Sequence, residues 1–302
     1  MHWLLEPGLF TNDSVRTAFL LGAMVSLVSA VVGVFTVLRS QSFAGHALTD
    51  VAMAGGAGAS LAGVAPLLGF LGGGVLGAGA MDAIGVQRVR GRDIATGVVL
   101  GAATGLAALF LFLVASSSAA TGSTQLILFG SVFTVETSTL PYVAGLSALV
   151  LTALVFIRRP LLLSSLNSEL AAVRGVRLRW VGGAFMIMLA VSVGLSSIVI
   201  GSILSTALLI GPPASALKMS SHVTKAVSIA VGLGVAATWL GIVFAYDSYY
   251  WLPAHRGLPV SFFVVFVVVI EFSFANLAYR FHARRVASTT SARVNVEPVG
   301  SR

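Results

Sequence analysis

An all-α polytopic membrane protein with eight or nine transmembrane helices is the fold class this sequence predicts, and three features carry the prediction. Of its 302 residues, 57% are hydrophobic and only 9% are charged, against about 25% charged in ordinary soluble domains. The apolar runs lack the alternation of strands and are about 17–25 residues long, the length a helix needs to cross a bilayer. Lipid forces the backbone to satisfy itself, so only helices or a closed barrel can span, and these runs select helices. Third, Lys and Arg collect at alternate ends of the runs, the pattern of a multi-span membrane protein.

Residues 1–13 read as a short extracytoplasmic lead holding Glu6 and Asp13. No basic region precedes an apolar run there, so no cleaved signal peptide is expected. Asn12-Asp13-Ser14 offers a helix cap, and a first span follows over residues 15–38, closed by Arg39. The second span carries His46 and Asp50 and reaches Val64. Pro66 opens a third, glycine-rich span (Gly69, Gly72, Gly73, Gly74, Gly77), whose small residues allow close helix approach. Gln87 to Asp93 is a basic loop ahead of the fourth span, 94–116. Thr124 to Val135 reads as a short helix, too short to cross. The fifth span, 139–157, ends at Arg158-Arg159-Pro160, and 161–179 is the most polar internal stretch.

Spans six (181–199) and seven (202–217) follow. A break is expected near Gly211-Pro212-Pro213, because proline removes a backbone donor and clashes with the preceding turn. Span eight covers 226–246 and leads to the aromatic cluster Tyr249-Tyr250-Trp251, typical of a membrane interface. Span nine covers 260–279. The transmembrane domain is therefore 14–285, and 286–302, rich in Ser, Thr and Val, is expected to be a disordered cytoplasmic tail. Spans two and three are so close in sequence that a count of eight stays open.

Alternating nine spans with Arg39 in the cytoplasm puts every Lys and Arg on that side except Arg16 and Arg256. Glu6, Asp13, Glu136 and Asp247 fall on the other side. The C-terminus is then cytoplasmic and the N-terminus extracytoplasmic. The net charge of +8 is a topology signal, and no nucleic-acid partner is expected; lipid is the surrounding. Cysteine is absent, which excludes disulfides and thiolate metal sites.

The chemistry concentrates in Ser42 to Gly55. His46 and Asp50 are four residues apart, hence on one helix face, about 5–6 Å apart at Cβ. Met53 extends that face. An imidazole and a carboxylate within an apolar span are costly unless they bind something, so the pair is a functional candidate by default. Both donors suit Mn²⁺, Fe²⁺ and Zn²⁺. The competing reading is a self-contained His–Asp hydrogen bond that only fixes packing, and Met53 on such a face is more often packing than ligand. Glu271, in the last span, is a further candidate for the pathway, with pairing to a neighbouring helix's hydroxyl as the alternative. Pro212 is another, since freed carbonyls near a proline can line a cavity. His222, His255 and His282 sit in loops or at span ends and are expected to be solvated.

Four stretches resemble a known family. Val37-Leu38-Arg39 with Ser42-Phe43-Ala44-Gly45, Gln125-Leu126-Ile127-Leu128-Phe129-Gly130, Asn167 to Gly175, and Gly201 to Leu217 occur in the order found in the integral-membrane permease subunits of ATP-binding-cassette importers for manganese, zinc and iron. The resemblance spans residues 19–280. It implies a permease that pairs with a second protomer as a homodimer, with cytoplasmic ATP-binding subunits and with an extracytoplasmic metal-binding protein. It also implies a short cytoplasmic coupling helix within 161–179, carried by Asn167, Glu169, Leu170, Ala171 and Gly175. The metal is cargo, and no cofactor is expected. The family usually reads Gly-Asp-Ala-Leu-Ser-His where this chain reads Gly45-His46-Ala47-Leu48-Thr49-Asp50. The two donors have exchanged places, and the proline that usually follows is Ala54.

No Gly-Lys-Ser/Thr phosphate loop is present, so ATP hydrolysis is expected on a separate subunit and the chain itself is not expected to be an enzyme. A gradient-driven secondary metal transporter is the alternative function; it would need more membrane carboxylates than Asp50 and Glu271. A membrane metallohydrolase would need at least three ligands and a general base from one chain.

Overall fold

The computed structural model describes residues 12–84, 92–116, 123–130, 132, 133, 135, 137–251 and 257–294, and every regular element among them is helical. The first six α-helices are α1 (Asp13–Leu38), α2 (Ser42–Leu61), α3 (Pro66–Ile84), α4 (Arg92–Ser116), α5 (Ser123–Phe129) and α6 (Leu140–Leu166). Five follow: α7 (Ser168–Val173), α8 (Leu178–Val199), α9 (Ser202–Met219), α10 (Val223–Trp251) and α11 (Val260–Val294). A single 3-10 turn, Thr137–Thr139, precedes α6.

Among the described residues, seven helices are long and apolar enough to cross a membrane: α1, α3, α4, α6, α8, α10 and α11. The sequence reading counts α2 and α9 as spans as well. These two fall outside the seven because polar groups dilute them. α2 carries His46, Thr49 and Asp50, and α9 packs two prolines and Lys218 into 18 residues.

α1 is the central post. Its Asn12 cap accepts from the Ser14 amide at 3.0 Å. Ser26 Oγ meets Thr238 Oγ1 of α10 at 2.6 Å, and Ser29 Oγ meets Ser196 Oγ of α8 at 2.7 Å. Each such rung contributes about 0.6 kcal/mol on average within a bilayer. The second rung also sets height. With Ser196 level with Ser29, α8 ends half-way up α1, and the turn from α8 to α9 lies inside the bundle. Ile200 and Ser202 are each only 1% exposed.

That buried turn is built on two glycines in left-handed backbone, Gly201 (φ 98°) and Gly130 (φ 71°). α5 ends on Gly130, and a Cβ on either glycine would collide with the backbone beside the other. Ser202 Oγ donates to the Ile127 carbonyl at 2.9 Å, which ties α5 to the start of α9. The short helix expected over Thr124 to Val135 therefore stops at Phe129, where Gly130 turns the chain away. Elsewhere α2 and α3 touch backbone to backbone: a side chain on Gly55 would strike the Gly69 carbonyl, and one on Gly69 would strike that of Gly55.

Three other expectations are corrected. α6 runs through Pro160 to Leu166 rather than ending at residue 157, because the next turn buries Leu161 completely. α9 is unbroken at Pro212-Pro213. The Leu209 carbonyl, deprived of a donor by Pro213, lies against Gly33 of α1, and protein covers what water cannot reach. Finally, α11 continues as helix to Val294 where a disordered tail was expected from 286. Residues 295–302 lie outside the described part.

Candidate functional site

His46 and Asp50 lie one turn apart on α2 and are both half-buried. Phe43, one turn below, is 43% exposed, so Phe43, His46 and Asp50 form an open stripe along the first half of α2. Each donor is anchored by a threonine from a different helix. Thr206 Oγ1 of α9 lies 3.2 Å from His46 Nδ1. Thr104 of α4 donates to Asp50 Oδ2 at 2.6 Å. The two do not bond each other, so the self-contained pair is not formed. Among the described residues each keeps an atom without a protein partner, Nε2 on the imidazole and Oδ1 on the carboxylate.

Met53 is 8% exposed and packs in the main core with Met186 and Leu189. Ala54 is buried beside it. Pro212 is buried within α9. Glu271 sits on α11, and its Oε2 is buried with no hydrogen-bond partner among the described residues; the hydroxyl expected to pair with it is not there. On the same helix, Asn276 Oδ1 accepts from Lys218 at 2.8 Å, and the Lys218 ammonium stands 4.3 Å from the Phe272 ring centroid. His222 is exposed, while Glu6, Glu136, His255 and Arg256 lie outside the described residues. Among those described, no group of three or more His, Cys, Asp and Glu assembles.

Sequence reasoning missed the two threonines, since a threonine in a helix carries no pattern of its own. It also missed a cavity of about 700 Å³ between the ends of α5, α8 and α10 and the start of α11. Gln125, Phe129, Val199, Tyr246 and Tyr249 line it, and Gly130 belongs to its wall. The cavity therefore adjoins the buried α8–α9 turn, one helical turn from Thr206.

At the other end of α6 stands α7. Asn167 caps it, its side chain accepting from the Leu170 amide at 2.9 Å, and Glu169 lies in the first turn. Gly175 (φ 79°) closes it. The Gly175 amide bonds the Ala172 carbonyl at 2.9 Å and the Val176 amide bonds that of Ala171 at 3.0 Å, a paired C-terminal cap. Ala171 is fully buried, while Leu166, Leu170 and Val173 are 84%, 44% and 85% exposed. Arg39 connects this foot to α2. Its guanidinium donates to Ser164 at 3.0 Å and to Gln41, the residue before α2, at 3.2 Å, and lies 5.5 Å from the Phe185 ring centroid.

The sequence matches the profile of the ABC 3 transport family over residues 11–273. The chain belongs to that family. It is a multi-pass membrane permease of an ABC transport system. It is 29% identical over 271 residues to a "Probable iron transport system membrane protein" of Haemophilus influenzae, covering 87% of this chain and 95% of the relative. It is 28% identical over 248 residues to the "Manganese transport system membrane protein MntC" of Listeria innocua, covering 80% and 85%. The fold matches a chain of "PsaBC from Streptococcus pneumoniae in complex with Fab" with a TM-score of 0.76 at 22% identity, covering 89% of this permease and 92% of that chain.

Proposed function

We propose that this permease imports a divalent transition metal, Mn²⁺, Fe²⁺ or Zn²⁺, and that the ion pauses at His46 and Asp50 on its way. The observation that carries the reading is the pair: an imidazole and a carboxylate one turn apart on the open stripe of α2, each held by a threonine and each with an atom to spare. Ionisable groups at such depth are functional by default, and the donor types suit these metals. The iron and manganese named for the relatives favour the same cargo. Two donors are too few for a closed site. The working unit is therefore a homodimer, in which two copies of α2 offer two imidazoles and two carboxylates. A site this open releases its ion, as transport requires.

In this reading α2 and α9 cross with the seven apolar helices, giving nine crossings and a cytoplasmic C-terminus. α7, within 161–179, docks a cytoplasmic ATPase subunit through Leu166, Leu170 and Val173, and ATP is hydrolysed there. An extracytoplasmic metal-binding protein delivers the ion at the end of the bundle where the cavity lies. Glu271 stands apart on α11 and is left out of the site. His46→Ala and Asp50→Ala are each expected to reduce radiotracer metal uptake to background while the protein stays folded and dimeric. Near-normal uptake by both variants would overturn the transit site.

A further inference from the structure

We infer that Thr206 and Thr49 are positioning residues for His46: they fix its imidazole as the Nδ1–H tautomer, so that Nε2 is the atom that meets the metal ion. The inference rests on the transit-site reading above and adds to it which atom binds and what holds it.

The argument counts hydrogens. A threonine hydroxyl has one hydrogen to give and can accept others, and a neutral imidazole has one donating and one accepting nitrogen. Thr49 Oγ1 donates to the Gly45 carbonyl at 3.0 Å, and a carbonyl can only accept. Thr49 Oγ1 is also 3.2 Å from Thr206 Oγ1. With the Thr49 hydrogen already used, Thr206 is the donor of that bond. The Thr206 oxygen is then left to accept, and its remaining partner is His46 Nδ1 at 3.2 Å. Nδ1 must therefore carry the proton. The reverse order would have Thr206 donating to Nδ1 and Thr49 turning from Gly45 to Thr206. It makes two bonds where the first makes three. Thr49 is 1% exposed, so solvent is poorly placed to replace the lost bond, and a missing bond in such surroundings is costly.

The helices are held where this chain of bonds needs them. At Gly45 a Cβ would lie 2.9 Å from Leu209 Cδ2, so α2 and α9 are pressed together one turn from the contact. A metal-binding histidine commonly donates its other ring N–H to a fixed partner, which sets the tautomer and aims the free nitrogen. Here that partner is a hydroxyl whose own direction is set by Thr49.

The test is histidine nitrogen NMR on the full-length permease in lipid nanodiscs. The chain has five histidines, and subtraction of the His46→Ala spectrum isolates the signal. The expected result is a protonated Nδ1 and a bare Nε2, with added Zn²⁺ shifting Nε2. Thr49→Val frees the Thr206 hydrogen for Nδ1 and is expected to move the population towards Nε2–H. Thr206→Val is expected to leave both tautomers populated and to weaken Zn²⁺ binding by about 10–100-fold. Thr49→Ser and Thr206→Ser are expected to restore the original state. A wild-type Nε2–H signal would overturn the inference, as would an unchanged tautomer in both valine variants. The wild-type spectrum is read without transport, so it separates this failure from failure of the transit site. Normal uptake by His46→Ala would remove that site and the proposal with it.

Discussion

His46 and Asp50 are not equivalent in what their neighbours require. His46 ends a run of donors. Asp50 accepts from Thr104, whose single hydrogen also faces the Leu100 carbonyl at 2.8 Å. Consider the double change His46→Asp with Asp50→His, which restores the family's usual order. A carboxylate at 46 only accepts, so Thr206 would turn its hydrogen from Thr49 towards it. An imidazole at 50 would accept from Thr104. Both adjustments are rotations of hydroxyls. The exchanged chain is therefore expected to transport faster than either alanine variant. The softer donor moves one turn along α2, about 5–6 Å, so its preference between Mn²⁺ and Zn²⁺ is expected to change. Competition uptake with mixed metals reads this out, and an exchanged chain as inactive as the alanine variants would tie each donor to its own threonine. The candidate donors were legible in the sequence because charge is rare in this chain. Thr49, Thr104 and Thr206 were not, because their roles depend on three helices meeting.

Among the elements, two short pieces do the most with the fewest residues. The buried turn at Gly201 joins α8 to α9 while α5 presses on it, and only a residue without a Cβ fits its φ of 98°. Gly201→Ala is expected to destabilise the protein by about 1–3 kcal/mol or more, measured as a lowered unfolding temperature in detergent. An unchanged midpoint would mean that α5 is free to move aside. The second piece is α7, capped at both ends and exposing Leu170 and Val173. Replacing Glu169 and Leu170 together by alanine is expected to stop co-purification of the ATPase subunit or to uncouple hydrolysis from uptake. If both survive the change, docking occurs elsewhere. Arg39 links the α6 end beside α7 to the first turn of α2, and so joins the proposed docking foot to the helix with the candidate donors. Arg39→Gln is expected to fold and to dock the ATPase yet to transport more slowly, seen as a fall in uptake per ATP hydrolysed; equal coupling in the variant would rule the linkage out.

At the scale of the whole molecule, seven of the described helices are long and apolar enough to span, and nine crossings are proposed. The absence of cysteine makes the test clean. A single cysteine replacing Gly63, between α2 and α3, is expected to react with an impermeant reagent from outside the cell. One replacing Ser221, between α9 and α10, is expected to react only in inverted vesicles. Labelling of both from one side would remove α9 from the crossings, and a cysteine at Gly63 that reacts only in inverted vesicles would remove α2.

The sequence by itself determined the class and the family, and it singled out His46 and Asp50 as the candidate donor pair. Apolar runs of spanning length force helices because lipid offers no hydrogen bonds, and the four motif stretches and the isolated His46 and Asp50 needed no third dimension. It misjudged local breaks, ending a span at residue 157 where the helix goes on to bury Leu161 and breaking α9 at Pro212-Pro213, where the freed Leu209 carbonyl is covered by Gly33 of α1. Only the tertiary structure decided that α8 turns back inside the bundle and that Gly130 and Gly201, from two distant motifs, lie in contact. It alone decided that His46 and Asp50 answer to different helices. Helix propensity and hydropathy act along the chain, whereas a hydroxyl's partner is set by which helices meet and at what height, and in this bundle that is fixed by small residues and buried serine rungs.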